Sequence, residues 1–176
     1  MHSYLLNERI DKVITYKDIA EKGKGIKEAE TEYVEKIHST VNGLMYSYVQ
    51  NLQLQETSWR DLNGREYPYA FITKEKGSFT PIDPFSLRVD MRDGVSFQLA
   101  TVTDDDPRDY RSVAVTVTVA IVSGTVKITV GGHKEQSFYL TDSGDKYLPV
   151  CNFIKDAVIM RLNSIQVGMT EENEKY

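Results

Sequence analysis

The residues of this chain with the clearest chemical potential are the acidic run Asp104-Asp105-Asp106 and nearby Asp109. Clustered carboxylates offer hard oxygen ligands to Mg²⁺ or Ca²⁺. The spacing lacks the alternate ligand positions and central glycine of an EF-hand loop. Adjacent carboxylates also point in different directions. The run is therefore expected to be a solvated strand connection that discourages edge pairing.

The three histidines, His2, His38 and His133, lie far apart, and none has a His or Cys at metal-ligand spacing. His38 adjoins an apolar helical stripe and reads as a boundary residue rather than a general base. Gly131-Gly132-His133-Lys134 lacks the glycine spacing and following helix of a phosphate-binding loop, so it reads as a turn. No G-x-S-x-G elbow is present. The single cysteine, Cys151, excludes an intramolecular disulfide and a thiolate metal cluster. It falls within an apolar helical face, where a thiol behaves as a small hydrophobe.

An aromatic and arginine cluster is the stronger candidate. Tyr46, Tyr48, Trp59, Arg60, Arg65, Tyr67 and Tyr69 lie within a short stretch that also holds Met45 and Phe71. Tyr, Trp and Arg dominate protein-interface hot spots because they combine large contact area with directed polar groups. These seven residues are the expected partner-binding set, with the arginines and the acidic loop setting electrostatic register. The competing reading places them in the core where a long helix lies on a sheet.

The elements that must position these residues follow from periodicity. Residues 4–22 place Leu6, Ile10, Val13 and Ile14 on one helical stripe, and Gly23 and Gly25 are expected to end that helix. A second helix is expected from Ile26, with Ala29, Tyr33, Ile37, Val41, Leu44, Tyr48 and Leu52 at steps of three or four. Asn42-Gly43 is a place where it could kink. Asn63-Gly64 marks a first hairpin. Leu87, Val89 and Met91 then alternate with charged residues ahead of an Asp93-Gly94 turn, and Val95, Phe97 and Leu99 return.

The firmest pattern is residues 112–130. Val113, Val115, Val117, Val119 and Ile121 fall on one face of a strand, and Val126, Ile128 and Val130 continue beyond a Ser123-Gly124 turn. Ala114, Thr116, Thr118 and Ala120 form the opposite face, small enough for close approach and polar enough to meet water. Gln136–Thr141 supplies a further strand with Phe138 and Leu140 inward. Residues 146–166 read as a final helix whose apolar arc, widened by Phe153, Ala157 and Met160, is too broad for burial on one side.

The expected fold class is α+β: two N-terminal helices, an antiparallel meander of five to seven strands, and a C-terminal helix packed on the sheet. Residues 1–170 are expected to form a single domain and 171–176 a solvated tail. Helix-over-curved-sheet folds share this element order, an analogy that carries no function.

The chain has 176 residues and a net charge of −5, which disfavours a general phosphate-backbone surface, so no nucleic-acid partner is expected. No apolar run approaches bilayer-spanning length, and no signal peptide is recognisable at the N-terminus. A cytoplasmic, membrane-independent protein without a cofactor is expected. The expected function is non-enzymatic protein binding or self-association, through the aromatic/Arg patch and helix faces. The alternative is a small-molecule binder or enzyme with a pocket between sheet and helices, using Tyr139, His38 or Asp90.

Overall fold

The computed structural model describes residues 14–56, 58–75, 78–131, 135–141 and 144–173, with side chains to residue 165. The fold is α+β. Helix α1 spans Tyr16–Asn51, strands β1 and β2 span Ser58–Arg60 and Glu66–Pro68, and β3 spans Ala70–Thr73. After a short 3₁₀ turn at Pro84–Ser86 come β4 (Val95–Asp104), β5 (Arg111–Val122), β6 (Thr125–Val130) and β7 (Gln136–Tyr139). Helix α2 spans Leu148–Asn173. The chain divides into two compact units, one ending at Glu32 and the other beginning at Tyr33.

In the unit from Tyr33 onward, β3-β4-β5-β6-β7 form one five-stranded antiparallel sheet in sequence order, while β1 and β2 form a separate two-stranded hairpin. Every strand of the larger sheet pairs with its sequence neighbour, as a meander requires. The β5–β6 hairpin forms because Ser123 and Gly124 both take positive φ, 49° and 80°, the twist that suits a two-residue connection.

The valine face is the core. Val113, Val115, Val117 and Val119 are buried, and Ile121 packs partly against the same cluster. Their cover is Ile37, Val41, Leu44 and Tyr48 of α1, together with Val150, Cys151, Ile154, Ala157 and Val158 of α2. Burying each such aliphatic side chain contributes roughly 1.5–3 kcal/mol, so this layer dominates the stability of the sheet.

The opposite face is divided along its length. At one end Ala114, Ala100, Val102, Phe71 and Trp59 form a second, smaller core beneath the β1–β2 hairpin. Towards the other end the sheet is polar, with Gln98 Nε2 donating to Thr116 Oγ1 at 3.0 Å and Thr118 Oγ1 donating to Ser96 Oγ at 3.2 Å. Small side chains thus admit the hairpin where it docks, and hydroxyls bond across strands where the face is more open.

Among the described residues, α2 meets the β5 edge beyond its pairing with β6. Strand β6 pairs with β5 only from Val117 onward, and Gly131 N donates to Thr116 O. Beyond that point Arg161 Nη1 donates to the Ala114 carbonyl at 3.0 Å. A charged group on a strand edge is a recognised guard against further strand pairing.

Four expectations are corrected. The two N-terminal helices are one: α1 runs through Gly23 and Gly25, and neither takes the positive φ of a helix C-terminal cap. It also continues through Asn42-Gly43, where the absent Cβ makes room for Tyr147, whose hydroxyl would lie 2.7 Å from it. Leu87, Val89 and Met91 do not form a strand, because β4 takes β3 and β5 as its neighbours. Only an Asp90–Gly94 bridge remains there. Finally, α2 extends to Asn173, beyond residue 166 where the expected helix ends. The expected helical positions Leu6, Ile10 and Val13 lie outside the described residues.

Candidate interaction site

None of residues 14–32 is buried, although the chain is helical from Tyr16. The start of α1 is well specified. Asp18 N donates to Thr15 Oγ1 at 3.3 Å, while the Asp18 carboxylate accepts from Thr15 N at 2.8 Å and from the Thr15 hydroxyl at 2.7 Å. This reciprocal arrangement is a capping box, and its hydrogen bonds hold the Asp18 carboxyl below the ordinary carboxylate value. Lys17–Glu21 and Lys24–Glu28 form exposed i,i+4 pairs at 3.9 and 3.6 Å, worth about 0.3–0.5 kcal/mol each.

Against these gains stand Gly23 and Gly25, each costing about 1 kcal/mol relative to alanine in a helix interior. The stretch exposes Ile14, Tyr16, Ile19 and Ile26, at 75, 84, 61 and 51% of their surface. Ile14, Ile19, Gly23 and Ile26 line one shallow groove, flanked by Asp18 and Lys22. Ile19, Gly23 and Ile26 follow the four- and three-residue steps of a single helix face.

The seven expected partner-binding residues are not gathered into one patch. Tyr48 is fully buried in the main core, where its hydroxyl shares a 2.8 Å hydrogen bond with Thr101. Burial pushes that hydroxyl up to about 12. Tyr48 therefore has no surface to offer a partner. Tyr46, two residues earlier and 69% exposed, lines a groove with Gln50 and Leu148.

Trp59, Tyr67 and Tyr69 lie on the other side of the sheet, with the second core. Trp59 is buried and stacks on Tyr67 at 5.2 Å, while Tyr110 closes on Trp59 at 4.9 Å. Phe79 meets Tyr110 edge-on at 4.6 Å. Trp59 Nε1 is buried without a hydrogen-bond acceptor. Arg60 and Arg65 face solvent, and the Arg65 guanidinium sits 5.7 Å from the Tyr67 ring centre. The competing core reading thus describes Tyr48 and Trp59, whereas Tyr46, Arg60 and Arg65 remain on the surface.

The acidic run is divided among local partners. Asp105 accepts a 2.5 Å hydrogen bond from the Tyr69 hydroxyl, which that contact pushes up to about 12. Asp104 accepts from Asp106 N, Asp106 accepts from Arg108 N, and Asp109 pairs with Arg111 at 2.7 Å. Among the described residues no group of three or more His, Cys, Asp or Glu side chains is arranged to hold a metal ion.

The polar groups named for an internal pocket are also dispersed. His38 Nε2 donates to Leu87 O at 3.0 Å and meets the Phe85 ring edge-on. Asp90 turns its carboxylate to the N–H groups of Arg92 and Asp93, which hold it below the ordinary value. Tyr139 is 57% exposed on β7. His2 and His133 lie outside the described residues.

The exposed face of residues 16–32 escaped the sequence reading because Gly23 and Gly25 divided it between two helices. Its signal was present in Ile19, Ile26 and Tyr33, spaced by seven and leading into the Ile37 stripe. No helix among the described residues is long and apolar enough to cross a membrane. Comparison with protein-family models, curated proteins and solved structures finds no match, so the geometry alone supports a reading of function.

Proposed function

We propose that this chain is a non-enzymatic protein-binding module and that the Ile19–Gly23–Ile26 face of α1 makes the principal contact. The supporting observation is residues 16–32, a helical stretch with two glycines and no buried side chain. Helices in proteins draw most of their stability from burying an amphipathic face. Two weak ion pairs and one capping box do not replace that source.

The partner that fits is another polypeptide presenting an apolar helical face. Gly23 lets a helix backbone approach between the two isoleucines, and apart from the adjoining residues and the helix's own backbone no described atom lies within 4 Å of the position its Cβ would take. The main space between α1 and the sheet is taken by Ile37, Val41, Leu44 and Tyr48, a filled interior that favours surface recognition over an internal ligand.

The test combines light scattering with amide hydrogen exchange over a range of chain concentrations and with candidate partners. The isolated chain is expected to exchange residues 20–32 far faster than residues 37–48. Bound to its partner, or to a second copy, the first stretch gains protection, and Ile19→Glu with Ile26→Glu abolishes that gain while leaving residues 37–48 protected. Strong protection of residues 20–32 in a monomer would sink the proposal, because the helix would then need no partner.

A further inference from the structure

A cleft of about 320 Å³ opens where α1 passes the β5–β6 hairpin and the turn leading into α2. Lys36, Ser39 and Thr40 contribute from α1, Thr125 from β6, and Lys146 and Tyr147 from the turn. Among the described residues no Asp or Glu lines it, in a chain whose net charge is −5. Two lysines therefore line one cleft to which no described residue contributes a carboxylate.

Both lysines are held by the fold. Lys36 Nζ donates to Gly124 O at 3.3 Å, and Lys146 Nζ sits 5.4 Å from the Tyr147 ring centre. Each ammonium has three donors, so the single bond to Gly124 leaves Lys36 two for a ligand. Thr40 Oγ1 donates to Lys36 O at 2.8 Å, while Tyr147 rests against Gly43. These residues form a fixed wall. Ser39 and Thr125 are exposed hydroxyls on the same cleft. Asp145, next to Lys146 in the chain, directs Oδ1 to Tyr147 N at 3.3 Å.

We infer that this cleft binds a small phosphate-bearing molecule, its dianion seated between Lys36 and Lys146 and its oxygens accepting from Ser39 and Thr125. Lysine binds phosphate as a mobile point charge, and two of them match a phosphomonoester's double charge. The volume lies at the small end of ligand sites, suited to a phosphate on a short polar body rather than to a nucleic-acid chain. The inference involves none of residues 16–32 and stands independently of the docking proposal.

The experiment titrates the full chain with inorganic phosphate, glycerol phosphate, succinate and sodium chloride at matched ionic strength. Thermal unfolding and ¹⁵N chemical shifts are the readouts. Glycerol phosphate is expected to raise the melting temperature saturably, with shifts concentrated at Gly124, Thr125 and Tyr147. Lys36→Gln with Lys146→Gln is expected to weaken it at least tenfold, while the control Lys17→Gln with Lys24→Gln leaves it unchanged. Ser39→Glu, which places a carboxylate at the exposed rim, gives the same loss should the double variant fail to fold. Equal effects from chloride, or shifts scattered over the surface, would mean an adventitious ion only and overturn the site. Succinate binding as tightly as glycerol phosphate would overturn the assignment to phosphate.

Discussion

Tyr48 on α1 and Thr101 on β4 share a 2.8 Å hydrogen bond inside the main core, 53 residues apart in the chain. Tyr48 is fully buried and Thr101 is 8% exposed, so neither hydroxyl has ready recourse to water. Tyr48→Phe is expected to destabilise by roughly 1–3 kcal/mol in urea unfolding, because Thr101 loses its partner. Tyr48→Glu places an unpaired carboxylate there and is expected to cost on the order of 4 kcal/mol or more. A folded, stable glutamate variant would contradict the burial.

Gly94 and Gly124 both take positive φ but differ in surroundings. A Cβ on Gly94 would lie 2.0 Å from Val119 O, whereas one on Gly124 meets nothing within 4 Å. Gly124→Ala is expected to cost about 1–2 kcal/mol from backbone conformation alone. Gly94→Ala should exceed it by on the order of 2 kcal/mol, because β5 must move aside. Equal midpoint shifts in denaturant would refute the close approach.

The two glycines of α1 separate stability from recognition. Each has open space for a Cβ. Gly23→Ala and Gly25→Ala should each stabilise the helix by about 1 kcal/mol, seen as slower amide exchange in residues 20–32. Only Gly23→Ala should weaken partner binding, since Gly23 lies between Ile19 and Ile26 on the exposed face. Identical binding by both variants would remove Gly23 from the contact.

Acid should loosen the start of α1. The Asp18 carboxyl is held below its ordinary value by hydrogen bonds from Thr15. A depressed folded value means that the contribution is present above the unfolded value of about 3.8 and lost as pH falls through the folded one. Amide shifts of residues 15–18, followed from roughly pH 5 to pH 2, should report that loss. Asp18→Asn should remove the titration.

Cys151 should be inert in the native state. It is fully buried, and burial, aided by Asp145, pushes its thiol up to about 11. Reaction with a disulfide reagent at neutral pH should proceed only as fast as the chain opens. Rapid stoichiometric labelling without denaturant would refute this.

The β5–β6 hairpin was legible in the sequence because strict alternation and a Ser-Gly turn agree. The helix count was not. Gly23 and Gly25 carry a C-terminal capping signature, and local propensity cannot show that a helix continues through them. The aromatic set was misgrouped for a different reason. Nearness in the chain between Tyr48 and Trp59 conceals that one lies on the valine face and the other on the opposite side. Phe71 shows how this happens: it faces the second core while its neighbours Ala70 and Ile72 face the first. The Lys36–Lys146 cleft had no sequence signal, since its two lysines lie 110 positions apart and come to one cleft only through the fold.

The guanidinium of Arg161 on the Ala114 carbonyl has a bearing on how copies of this protein can misassemble. That oxygen is an acceptor that a foreign segment would need in order to continue the sheet. Trimming the arginine to alanine should therefore leave the monomer folded yet raise its tendency to form fibrils on storage. In that respect the final helix shields an edge of the sheet as well as roofing the core.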